Sequence, residues 1–88
     1  MNNLNVRYDR RADVLYVTTA LNGPAKARED DNGIVWRYLD ADGTLVGATI
    51  IDFQEIWHSR LADLVNEVAS HFHVSKGSAA RALESVDG

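Results

Sequence analysis

Leu4, Val6 and Tyr8 alternate with Asn5, Arg7 and Asp9. This is the period-two pattern of a strand with one buried face. The polar run Asp9 to Asp13 then predicts a hairpin turn, with aspartate bonding nearby backbone amides. Val14 to Thr19 is dense in β-branched and aromatic residues and predicts a second strand. After Asn22-Gly23-Pro24 the chain is polar and acidic through residue 32, which predicts a long loop over residues 20–32. That loop has room for a short strand around Ala25 to Arg28, but the count of full strands stays at four. Ile34 to Leu39 is the third strand, with Ile34, Trp36 and Tyr38 on one face. Asp40-Ala41-Asp42-Gly43 predicts a tight turn with glycine in the left-handed region. Thr44 to Ile51 is the fourth strand. Val46, Ala48 and Ile50 are expected on one face and Leu45, Thr49 and Ile51 on the other. Gly47 marks a bulge or a close approach.

The period changes after Asp52. Leu61, Leu64, Val65, Val68, Ala69 and Phe72 recur at helical spacing and form one apolar stripe. A helix is expected from about Arg60 to Phe72, with Ser59 as N-cap and Asp63 in the first turn. Ser75 is expected to cap a second helix, with Ala79, Ala82, Leu83 and Val86 on its buried side. The predicted class is therefore α+β: a four-stranded antiparallel β-meander of two hairpins, followed by two C-terminal helices. We expect a single domain over residues 1–88, divided into the meander (1–53) and the helical pair (54–88).

Composition narrows the function classes. The chain has 88 residues, 45% of them apolar, so it holds one small core. A core of this size favours oligomerisation, and a homodimer is expected. The net charge of −4 argues against non-specific nucleic-acid binding. There is no cysteine, hence no disulfide and no thiolate metal site. No apolar run approaches a membrane span, so no membrane partner is expected, and a cytoplasmic location is.

The ordered set Tyr8-Asp9, Asp13-Val14-Leu15-Tyr16-Val17, Gly33-Ile34-Val35, Asp40 to Gly47 and Ile50-Ile51-Asp52 resembles a short bacterial family, domain of unknown function 2283, over roughly residues 5 to 53. The likeness implies a compact meander of two hairpins and no particular activity. Its motif residues also have structural readings: Asp9 and Asp13 as turn formers, Tyr8 and Tyr16 as large strand residues. The Trp36-Arg37 strand and the helical tail depart from it.

The tail has a pattern of its own. Ala69 to Leu83 resembles a helix-turn-helix, within residues 60–86. Ala69 would allow close helix packing, Val74 would plug the turn, and Ser75 would cap a helix that enters the major groove. Ser75, Lys76, Ser78 and Arg81 are then the candidate nucleic-acid-binding residues. His73 stands where glycine is usual. From residue 60 onward three Lys or Arg face four Asp or Glu. The competing reading is an ordinary helical hairpin that covers the sheet.

Other chemistry is sparse. His58, His71 and His73 lack the i, i+4 spacing of a helical two-histidine site, and His58 with Asp52 and Glu55 is weighed as a metal site against solvated histidines. Surface histidines, no metal and no cofactor are expected. Neither a Gly-x-Ser-x-Gly elbow nor a phosphate loop is present, and no enzyme is expected. Any aromatics of Trp36, Tyr38, Phe53 and Trp57 left over from the core would seed a protein interface. Two functions are carried forward. The first is a non-enzymatic interaction module acting as a homodimer on a protein partner. The alternative is an antitoxin-like DNA-binding regulator.

Overall fold

The computed structural model describes residues 4–84. Five strands form one antiparallel sheet: β1 (Asn5–Asp9), β2 (Val14–Thr18), β3 (Ala25–Glu29), β4 (Ile34–Leu39) and β5 (Leu45–Ile51). Their order is β1-β2-β5-β4-β3. The expected count of four is therefore corrected to five, and the simple meander to a hairpin set beside a three-stranded meander. The added strand is β3, inside the predicted loop. Its alternation Ala25-Lys26-Ala27-Arg28 carries no large apolar residue, because β3 lies at the rim and most of it is exposed.

Helices follow the sheet. Asp52 takes a left-handed backbone (φ 58°) and turns the chain into a π turn (Phe53–Trp57) and a 3-10 turn (His58–Arg60). Then come α1 (Leu61–Phe72) and α2 (Lys76–Glu84). Ser59 does not cap α1, contrary to expectation. Its hydroxyl donates to the Ile56 carbonyl, and Arg60 precedes the helix with no side-chain cap bond. The chain is already wound before α1, so turns upstream occupy the place of a cap. Asp63 does lie in the first turn, paired with Arg60 at 3.2 Å. No helix among the described residues is long and apolar enough to cross a membrane.

The core lies between the helices and one sheet face. Leu15, Val17, Ile34, Trp36, Ala48 and Ile50 come from the sheet; Phe53 and Trp57 from the π turn; Leu64, Val68, Ala69, Ala79 and Leu83 from the helices. Ala82 is half-buried, and Val86 lies outside the described residues. The register of β4 and β5 skips Val46, so Leu45 pairs with Tyr38 and packs against the core. That bulge reverses the expected facing of Leu45. An added Cβ at Gly47 would come within 3.3 Å of the Val17 carbonyl oxygen, which is the close approach the glycine signalled.

Candidate functional site

The helical pair has the local build expected from its sequence. His73 adopts the left-handed conformation (φ 57°, ψ 42°) that ends α1, and the Val74 amide donates to the Ala69 carbonyl at 3.1 Å. Ser75 Oγ accepts from the Ser78 amide at 3.0 Å and so caps α2. Val74 packs against the core, and Ala79 and Leu83 are buried in it. Ser75, Lys76 and Arg81 are exposed and Ser78 is half-buried. Arg81 pairs with neither Glu67 nor Glu84 among the described residues. At 100° per residue, however, Lys76 and Arg81 lie about 140° apart around α2, and exposed Glu84 stands beside Arg81. The two cations do not form one stripe.

Trp36 organises the sheet side of the same C-terminal end of α1. It is 2% exposed, and its Nε1 donates to Asp30 at 2.8 Å. The His71 ring stacks on it with centroids 3.8 Å apart and planes 9° apart, and Phe72 meets it at 6.1 Å. His71 Nδ1 donates to the Glu67 carbonyl at 2.9 Å. His71 is thus a half-buried packing residue rather than a solvated one. Burial would raise the Asp30 carboxyl pKa, but hydrogen bonds from Trp36, Ile34 and Asn32, helped by nearby His71, outweigh it and hold the pKa down.

Asp13 does more than form a turn. Its left-handed backbone (φ 56°) aims its carboxylate at the π turn, where it accepts from the Gln54 amide at 2.7 Å and the Glu55 amide at 3.2 Å. It also accepts from the Tyr8 hydroxyl at 2.7 Å. Slight desolvation would raise the Asp13 pKa, but these three bonds lower it. The same bond, with burial, raises that of Tyr8. Asp9 fills the expected local role by accepting from the Arg11 and Ala12 amides. Nothing local in the sequence marks the contact of Asp13 with residues some forty positions away.

Among the described residues the second face of the sheet carries no helix. One row of register partners crosses it through all five strands: Arg7, Tyr16, Thr49, Val35 and Glu29. The Arg7 guanidinium sits over the Tyr16 ring, 4.6 Å from its centroid. Val14 and Ile51 pair beside this row, and Ile51 is 44% exposed. The surplus aromatics expected at an interface are not there. Trp36, Trp57 and Phe53 are buried and Tyr38 packs against the core, so among the described residues the exposed large apolar ones are Leu21, Ile51 and Ile56. Among the described residues no group of three or more His, Asp or Glu is placed to hold a metal ion.

This is an α+β protein with a five-stranded antiparallel sheet, helices on one face and a bare face opposite. Residues 5–54, more than half of the chain, match the family described as "Protein of unknown function (DUF2283)", and the chain belongs to that family. No curated protein and no solved structure matches it.

Proposed function

We propose that the chain is a small non-enzymatic interaction module that works as a homodimer closed through the bare face of its sheet. The observation that carries this is the self-complementary row across that face. Turn a second copy by 180° about an axis parallel to β5 and passing over Thr49. Arg7 then lies opposite Glu29 of the second copy, Tyr16 opposite Val35, and Thr49 opposite itself. Ile51 meets its own copy one step along the axis. Opposite charges at the rim and apolar groups near the centre are what an isologous interface needs. Five strands about 4.8 Å apart and about 17 Å long give a footprint of roughly 400 Å² per copy, so the dimer belongs at the weak end of specific association.

DNA recognition by the helical pair is the second reading, supported by the capped α2 and by an exposed Arg81 that forms no ion pair among the described residues. It needs a different assembly. In a dimer closed through the sheets, the helical layers lie on opposite outer sides, and the two α2 helices cannot approach one side of a duplex. One experiment separates the two. Sedimentation of the wild-type chain over a range up to several hundred micromolar is expected to pass from monomer to dimer. Ile51→Lys should remain monomeric, because it sets two ammonium groups together on the axis. Added duplex DNA should leave the dimer's sedimentation unchanged. A dimer indifferent to Ile51→Lys, or one that co-sediments with DNA, contradicts the proposal.

A further inference from the structure

The outer rim of the sheet at β3 has features that the dimer does not use. The Asp40 amide donates to the Pro24 carbonyl and the Asp30 amide to the Ile34 carbonyl. Antiparallel pairing alternates bonded and non-bonded residues. Lys26 and Arg28 therefore turn their amide groups inward to β4, while Ala25, Ala27 and Glu29 turn theirs outward. Among the described residues no strand pairs with the outward row, which makes it a template for another strand, and two of its three side chains are alanines, which leave the edge open. Lys26 and Arg28 stand on the opposite face of the strand, both exposed, and neither forms an ion pair among the described residues. Beside them is an open cavity of about 500 Å³, lined by Lys26, Arg28, Tyr38, Leu39 and Asp40 among others.

A second copy of this chain is a poor occupant of that edge. Full antiparallel pairing of β3 with itself turns about Ala27 and sets Lys26 against Arg28 twice on one face. Directly opposed like charges destabilise a strand pair, and lysine at an edge is a known guard against self-pairing. An extended segment with acidic side chains has the opposite effect.

We infer that β3 is a docking edge for a short acidic segment of a partner protein, which adds as a sixth strand. Acidic residues two positions apart fall on one face of the added strand and meet Lys26 and Arg28. The residue beyond them enters the cavity against Tyr38 and Leu39. Charge also limits the segment's length. Asp40 lies at one end of the site, and Glu29 and Asp31 at the other, so a long acidic run is repelled where a pair of acids is held. Main-chain bonds to Ala25, Ala27 and Glu29 supply affinity, and the two cations supply selectivity. The inference deepens the interaction-module reading by naming its partner class. It uses the outer main-chain edge of β3 and the side that bears Lys26 and Arg28, not the bare face, so it stands or falls apart from the dimer.

The test is an amide NMR titration of the full chain with a capped seven-residue peptide, threonine throughout except for glutamate at its third and fifth positions. The expected result is saturable shifts centred on the Ala25, Ala27 and Glu29 amides, with slower hydrogen exchange at those three. Lys26→Glu/Arg28→Glu, its sheet spectrum otherwise retained, should weaken binding at least tenfold. A peptide with lysine in place of glutamate should not bind the wild type. Shifts centred elsewhere, equal binding of the lysine peptide, or no saturable change at millimolar peptide would overturn the inference. Any of these can occur while the chain still dimerises and Ile51→Lys still abolishes the dimer.

Discussion

Trp36→Ala is expected to lower the thermal midpoint by about 15–30 °C. Replacing a buried tryptophan by alanine typically costs about 3–5 kcal/mol, and 1 kcal/mol moves the midpoint of a domain of this size by about 4–8 °C. A chain of this length holds only about 4–13 kcal/mol in total. Two further losses accompany the cavity. Asp30 loses the indole donor at 2.8 Å, and His71 loses the surface on which it stacks. Trp36→Phe separates these effects. It keeps a buried ring under His71 and Phe72 but removes the N–H and leaves a small cavity, so its cost should be well below that of alanine, at about 1–3 kcal/mol. Circular dichroism melts of both variants check this. A Trp36→Ala melt within a few degrees of wild type would mean that the stack of Asp30, Trp36 and His71 does not anchor α1.

Asp13→Ala should be the next most damaging change, at about 2–3 kcal/mol. It removes the acceptor of the Gln54 and Glu55 amides, an effect of about 0.5–2 kcal/mol by analogy with helix caps. It also puts alanine in a left-handed conformation, at about 1 kcal/mol or more. Asp13→Gly relieves the second cost and not the first, so it should be more stable than Asp13→Ala. The reverse order in chemical denaturation would contradict a strained left-handed backbone at position 13. Acid separates the roles further. The folded pKa values of Asp13 and Asp30 lie below their ordinary values. Their stabilisation is therefore complete above the unfolded carboxylate pKa, about 3.9, and fades as pH falls through the lowered folded values. Stability should drop most steeply below about pH 4, and Asp13→Asn should flatten that slope.

Much of this architecture is legible in the sequence because burial writes itself as periodicity. β1, β2, β4 and α1 each carry an apolar pattern that matches one covered face, and β5, apolar on both sides, is the central strand. The turn positions of Gly43 and Asp9 and the Ser75 cap are likewise local, and local chemistry specifies them. β3 shows only as room for a short strand around Ala25 to Arg28 and not as a full fifth one, because a rim strand buries almost nothing and so has no apolar period to show. The bulge at Val46 escapes because Gly47 marks an irregularity without saying which neighbour changes face. The Asp13 cap and the His71 stack depend on the strand order β1-β2-β5-β4-β3 and on the placement of α1 over Trp36. Those are tertiary facts without a local signal. The residues singled out for DNA, Ser75, Lys76, Ser78 and Arg81, were chosen on motif spacing. Ser75, Lys76 and Arg81 are exposed and Ser78 is half-buried, but the angle between Lys76 and Arg81 around α2 denies the two cations a common stripe.

The homodimer is tested most directly by exchanging charge across its proposed axis and measuring sedimentation against concentration. Arg7→Glu and Glu29→Arg each place like charges opposite one another twice in the dimer. Each should weaken association about tenfold or more, since about 1.4 kcal/mol is a factor of ten. The double variant Arg7→Glu/Glu29→Arg restores opposite charges and should recover most of the wild-type dimer. Failure of the double variant to recover, with both single variants impaired, would contradict the twofold pairing of Arg7 with Glu29, and full dimerisation of the single variants would place the interface elsewhere.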